Sequence, residues 1–146
     1  MNRIYSILHV EDDANDVYFV ARALRDSGVE LPVTVAPDGQ AAIDLLIQLG
    51  ASRGKGECPC LVLLDLNLPR RSGLEVLEWI RHQAGWKTMV VLVLTSSNAE
   101  ADMIRAYSLG ANAYVVKPSD ATKLREFGRL LKEFWLGWNQ IPPPPP

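Results

Sequence analysis

Five short runs, residues 4–10, 32–36, 61–64, 89–94 and 113–116, are mostly apolar or β-branched and barely alternate. That is the pattern of parallel strands buried on both faces. Between and after them apolar positions recur at helical spacing. Val17, Val20, Ala21 and Leu24 mark the first helix, and Ala42, Ile43, Leu45, Leu46 and Leu49 the second. Leu74, Val76, Leu77 and Ile80 mark the third, and Met103, Ile104, Tyr107 and Leu109 the fourth. Leu124, Phe127, Leu130, Leu131 and Phe134 mark the fifth. Asn15 or Asp13 can cap the first helix and Gly28 can close it. Pro37-Asp38-Gly39 turns into the second, Thr95-Ser96-Ser97 offer hydroxyls to the fourth, and Ser119 or Asp120 opens the fifth. Residues 51–59 carry Ser, Gly, Lys and Glu without periodicity and read as a surface loop. Past Phe134 the prolines end any helix and favour an extended polyproline II tail.

Strict alternation of strand and helix predicts an α/β fold, a doubly wound, five-stranded parallel sheet built as (βα)5. The 146 residues suit one domain over residues 1–136, with a Pro-rich tail over 137–146. Net charge is −2 and no basic stripe is present, which argues against nucleic-acid binding. No leader pattern and no stretch long enough to span a bilayer is evident, so a cytoplasmic location away from membranes is expected. Cys58 and Cys60 flank a proline, too close for an easy disulfide and too few for a structural zinc site.

The polar residues that end the strands carry the chemistry. Glu11, Asp12 and Asp13 follow the first run, Asp65 the third, Thr95 the fourth and Lys117 the fifth. In an open α/β sheet the ligand site lies outside the carboxyl ends of the strands. Carboxylates gathered there repel one another, and a divalent cation removes the conflict; oxygen ligands beside phosphate suit Mg²⁺. A carboxylate such as Asp65 can act as nucleophile in phosphoryl transfer, with Lys117, Thr95 and backbone N–H groups facing the phosphoryl oxygens.

Val10-Glu11-Asp12, Leu63-Leu64-Asp65 with Asn67, Pro69 and Gly73, Leu94-Thr95-Ser96, and Tyr114-Val115-Val116-Lys117-Pro118 together resemble the motifs of response-regulator receiver domains. The ending Phe134-Trp135-Leu136 followed by prolines is similar to the stand-alone regulators of bacterial phytochromes and related histidine kinases. The resemblance implies a flavodoxin-like fold and a single-domain regulator. Such a protein takes phosphate from a kinase phosphohistidine, with Mg²⁺, and signals through protein contacts. By the same likeness Asp65 is the phosphoacceptor. Asp12 and the Asn67 carbonyl are metal ligands, with Glu11 acting through water. Lys117 is the phosphate-sensing lysine, and Thr95 and Tyr114 are coupled switch residues. Of the three consecutive acids, Glu11 and Asp12 are favoured at the metal because they directly follow the strand. The likeness also points to a cis Lys117–Pro118 bond, against the usual trans preference. No catalysis beyond its own phosphorylation and dephosphorylation is implied.

Two other functions compete. A phosphatase of the haloacid-dehalogenase type also uses an aspartyl phosphate but wants a second acid where Asn67 stands, and a pseudo-receiver would lack an acidic or lysine position kept here. Taken singly, Asp65 reads as a turn residue, Tyr114 as a sheet aromatic and Lys117 as a solvated charge. His9 reads as strand packing, His82 as surface, and Trp79 and Trp86 as covers over helix and loop edges. Phe134, Trp135, Leu136 and Trp138 crowd more apolar surface onto the last helix than its own core can cover. They predict a homodimer in which the arm from Phe134 onward lies along a partner rather than folding back.

Overall fold

The computed structural model describes residues 3–52 and 55–143. The strands are β1 Arg3–Val10, β2 Val33–Ala36, β3 Gly56–Leu64, β4 Val90–Thr95 and β5 Ala113–Val116. The helices are α1 Ala14–Asp26, α2 Gly39–Ala51, α3 Gly73–His82, α4 Glu100–Ser108 and α5 Ala121–Leu130. All strands pair in parallel in one sheet of order β2-β1-β3-β4-β5. β3 is the central strand, and its side chains divide the core in two. Val62 and Leu64, with Leu8 and Val10, pack under Ile43 and Leu46 of α2 and Val76, Leu77 and Ile80 of α3. Leu61 and Leu63, with Ile7 and Leu92, pack under Val20 and Leu24 of α1 and Leu124 and Phe127 of α5. Burial on both faces is why these runs carry no polar alternation.

Capping follows local chemistry in most places. Asp13, Asp38, Ser72 and Asp120 accept from first-turn N–H groups of α1, α2, α3 and α5, and Gly28 takes φ 84 just past α1. The fourth helix departs from expectation. Its cap position is Ala99, with no side-chain cap bond, because the chain travels beyond Thr95 before turning into α4. Thr95 and Ser96 stop too early to cap. Ser97 instead accepts from the Ala99 N–H at 3.3 Å and donates to Asp102 Oδ2 at 2.5 Å.

Four other expectations are corrected. The stretch expected as a loop over 51–59 is mostly structured: Ala51 ends α2 and Gly56 already begins β3. Residues Arg3 to Ser6 supply a neighbouring strand, and Ser6 pairs with Pro59 before a bulge at Cys60 lets Ile7 pair with Leu61. Arg53 and Gly54 of that stretch lie outside the described residues. Among the described residues no peptide bond is cis, so Lys117–Pro118 is trans, the form that X–Pro prefers by about 0.5–1 kcal/mol. Trp86 is core rather than a loop cover. A turn over Gln83–Lys87 tucks its indole inward, where Nε1 donates to the Leu46 carbonyl at 3.0 Å.

The tail is the fourth correction. Helical structure continues without a break from α5 into a π-helical segment, Leu131–Trp138, with the Asn139 N–H bonded back to the Phe134 carbonyl. Trp135, Leu136 and Ile141 then pack against the α1/α5 core, so this part of the arm folds back. Burying those side chains on the chain's own core removes apolar area from water without a partner. Phe134 and Trp138 stay exposed. The last three prolines of the 137–146 tail lie outside the described residues.

Two tryptophans are thus predicted to behave oppositely, since Trp86 is 9% exposed and Trp138 83%. Trp86→Ala removes about 3–5 kcal/mol from the unfolding free energy, read from urea denaturation by circular dichroism. Trp138→Ala changes it by no more than about 0.5 kcal/mol.

Candidate functional site

β1 and β3 lie side by side while their following connections run to opposite sides of the sheet, which makes the crevice between them the topological switch point. The ladder of backbone bonds runs past the strand ends and fixes the polar residues there. Glu11 N–H donates to the Ala36 carbonyl at 3.0 Å, Asp65 N–H to the Val10 carbonyl at 3.1 Å, and Lys117 N–H to the Thr95 carbonyl at 2.8 Å. Asp13 is drawn away to cap α1, accepting from Asn15 and Asp16 N–H at 2.8 and 3.0 Å. That leaves Glu11 and Asp12 beside Asp65 at the crevice.

Lys117 enters from β5 and meets three carboxylates at once. Its Nζ lies 2.5 Å from Glu11 Oε1, 2.8 Å from Asp16 Oδ2 and 3.0 Å from Asp65 Oδ2. Three anions share one cation, and the titration behaviour reflects it. Burial would lower the lysine, but its bonds to Asp16, Glu11 and Asp65 hold it protonated well above its ordinary range. Burial would raise Asp65, yet the donors Lys117 and Thr95 hold that carboxyl below its usual range. Glu11 is the member that yields: burial, with Asp65 nearby, pushes it up to about 7 despite the ammonium.

Glu11, Asp12 and Asp65 each present an oxygen within 4.8 Å of the others. Glu11 Oε1 is buried and, among the described residues, has no hydrogen-bond partner of good geometry, only the ammonium. Asp12 stands exposed at the rim. An all-oxygen set with one buried, under-satisfied carboxylate and one open side fits a hard divalent cation that keeps part of its water.

The loop after β3 is drawn tightly over this site. Gly73 N–H donates to the Leu66 carbonyl at 2.9 Å, and a Cβ at Gly73 would stand 2.0 Å from the Asp65 carbonyl oxygen. Only glycine lets α3 begin that close to Asp65. Asn67 N–H points back to Asp65 Oδ1 at 3.3 Å. Thr95 is buried, its hydroxyl close enough to help lower Asp65 and to accept from Ser97 N–H at 3.4 Å. Tyr114 is half-buried, packs by Leu66, Val93 and Ala106, and donates its hydroxyl to the Ser97 carbonyl at 2.9 Å.

Glu11, Asp12, Asp65, Thr95 and Lys117 converge here, and of the strand-end residues singled out from the sequence Asp13 alone turns aside to the helix cap. The C-terminal side chains do not converge here: Leu136 lines a cavity with Tyr5 and Gly28, at the other end of β1 from Glu11, and Phe134 and Trp135 lie beside Phe127 and Leu130 of α5. Sequence reasoning missed Asp16, Ser97 and Asp102. Asp16 carries a readable signal, for it lies four residues before Val20 and eight before Leu24. It is a charge on the apolar stripe of α1.

A comparison with protein families matches residues 7–128 to the response regulator receiver domain, a span holding every crevice residue. The chain belongs to that family. Response regulator Rcp1 of Synechocystis sp. is 36% identical over 136 residues, covering 93% of this chain and 92% of that protein. A crystal structure of its Mn²⁺-bound form superposes with a TM-score of 0.83, covering 94% of this chain and 99% of that one. The phosphorylated cyanobacterial phytochrome response regulator RcpA superposes with a TM-score of 0.85 at 34% identity, covering 97% of this chain and 100% of that one. The probable methanogenesis regulatory protein FilR2 of Methanothrix harundinacea is 38% identical over 140 residues, 96% of this chain and 89% of that protein.

His9 gives the crevice a measurable pH signature. It lies buried on β1 with no partner for Nδ1 among the described residues. Burial, reinforced by Lys117 and opposed by Asp16 and Asp65, lowers it from 6.5 to about 4. The unfolded chain then binds more protons between those values, so the contribution of His9 to stability is full above pH 6.5 and is lost as pH falls toward 4. Glu11 acts with the opposite sign between pH 4.5 and 7, but it is common to a variant comparison. Relative to His9→Leu, the native protein loses on the order of 3 kcal/mol across that window, read from denaturation at stepped pH. A constant difference between the two proteins would overturn the assignment.

Proposed function

We propose that the chain accepts a phosphoryl group on Asp65 from a phosphohistidine of a sensor histidine kinase in a Mg²⁺-dependent reaction. The phosphorylated form then signals by altered contacts with other proteins. The carrying observation is the Asp65 carboxylate, buried yet held ionised, 3.0 Å from a lysine that two further carboxylates anchor. An ionised carboxylate can attack phosphorus in line. The O–P bond forms, the N–P bond breaks, and the departing ring nitrogen keeps the bonding pair. Lys117 supplies positive charge, and the Thr95 hydroxyl and Asn67 N–H supply donors to the phosphoryl oxygens.

Glu11, Asp12, Asp65 and the Asn67 carbonyl would hold the cation, with Glu11 placed to act through a water. When bound, Mg²⁺ relieves repulsion among the carboxylates and adds positive charge beside the phosphoryl group. Thr95 and Tyr114 act as the switch, since Ser97 bonds to both through its backbone. The likeness to RcpA supports a phytochrome-type kinase as partner, and membership of the receiver family supports the cytoplasm as the location. A homodimer is part of the reading, narrowed to Phe134 and Trp138, the aromatics that the folded-back tail leaves exposed.

Incubated with acetyl phosphate and Mg²⁺, the native protein is expected to gain one phosphoryl group by intact mass, and Asp65→Asn none. Asp12→Ala loses Mg²⁺ binding and labelling together. Sustained release of phosphate from small phosphomonoesters would instead support the phosphatase. In light scattering the native chain runs as a dimer and the Phe134→Ser, Trp138→Ser double variant as a monomer; a monomeric native protein sinks the dimer.

A further inference from the structure

An ammonium group has three N–H bonds, and that of Lys117 has three carboxylate partners within 3.0 Å, supplied by Glu11, Asp16 and Asp65. The partners are not equivalent. The side chains of Glu11 and Asp65 are 1% and 6% exposed, whereas that of Asp16 is 39% exposed. Two anions thus pull the lysine into the protein and one holds it toward the mouth of the crevice. Asp16 is also the partner that stands outside the group able to share a cation, which comprises Glu11, Asp12 and Asp65. Its carboxylate stays free for the lysine when those three are engaged. Its backbone is fixed by the helix cap, through the Asp16 N–H bond to Asp13 Oδ1 at 3.0 Å.

We propose that Asp16 is a positioning residue for Lys117, holding the ammonium at the mouth of the crevice where the oxygens of an incoming phosphoryl group arrive. Without Asp16, the lysine turns to the buried pair and stands deeper, away from the path of the donor. Displacing a charge that must meet the transferring group slows the reaction, because catalysis of phosphoryl transfer is largely positioning. Two simpler roles for Asp16 give different results. As a first-turn acid it would only favour the helix N-terminus, and its loss would change stability but not labelling. As a bare negative charge at the mouth it would repel the phosphoryl donor, and its loss would speed labelling.

The inference rests on the reading of Asp65 as phosphoacceptor, and the experiment separates the two. The rate of labelling by phosphoramidate with Mg²⁺ is measured for the native full-length protein, Asp16→Asn, Asp16→Glu, Lys117→Ala and the Asp16→Asn, Lys117→Ala double variant. Melting curves accompany each, and the Lys117 ammonium resonance is followed by ¹H–¹⁵N NMR in metal-free protein. Asp16→Asn is expected to label about tenfold more slowly and to shift or broaden the ammonium resonance, while Asp16→Glu recovers most of the rate. In the Lys117→Ala background the same Asp16 substitution has no further effect. A native protein that takes no label overturns the phosphoacceptor reading. Native labelling with an unchanged or faster Asp16→Asn, or an equal Asp16 effect with and without Lys117, overturns the positioning role alone.

Discussion

One ammonium facing three carboxylates is the interaction on which the site depends. At 3–4 Å, opposite charges near a protein surface attract by about 4 kcal/mol and like charges repel comparably. With Lys117 in place Asp65 is held below its usual range while the most buried acid, Glu11, is driven up to about 7. Truncating the lysine would leave buried carboxylates uncompensated, a change of the kind that costs several kcal/mol. The clustered carboxylates suit the crevice to a divalent cation, while the Lys117 ammonium and the Thr95 hydroxyl hold the Asp65 carboxyl below its usual range against burial.

Holding that unbalanced cluster requires a rigid frame, and the parallel sheet supplies it. β3 is covered on both faces, so Asp65 is anchored by a strand that has no freedom to shift. Backbone bonds extended one residue past β1, β3 and β5 fix the direction in which Glu11, Asp65 and Lys117 leave the strands. Gly73 then lets α3 close down on the Asp65 carbonyl. At the opposite edge, Arg81 donates to the carbonyls of Lys87, Met89 and Gly110 and to Asn112 Oδ1, tying the ends of β4 and β5 to α3. The strands that carry Thr95 and Lys117 are thereby clamped far from the chemistry.

Between crevice and surface runs a short polar path. Thr95 lies near enough to lower the Asp65 carboxyl, and its hydroxyl accepts from the Ser97 N–H. Ser97 accepts from Tyr114 and bonds to Asp102 in the first turn of α4. Ile104 and Tyr107 on that helix and Val116 on β5 are exposed. This path ends at a helix that carries exposed apolar side chains. The folded-back tail covers a different region, at the amino ends of β1 and β3, and leaves this face open.

Much of this was legible in the chain because it depends on local order. Unalternated apolar runs can be stable only with both faces buried, helical spacing dictates which side of each helix turns inward, and in a parallel sheet all carboxyl ends share one edge. Those facts alone bring Glu11, Asp12, Asp65, Thr95 and Lys117 together. What the tertiary structure decided concerns partners remote in sequence. Residues 56–59 became strand because Arg3 to Ser6 lay beside them, not because of their own propensity. Trp86 became core because Leu46 offered a carbonyl. Trp135, Leu136 and Ile141 turned back because the α1/α5 core had room for them. Asp16 was assigned to Lys117, 101 residues away, by the packing of α1 on the sheet. A sequence pattern records the face on which a residue lies; which side chain it meets there is set by registers and approaches that only the folded chain has.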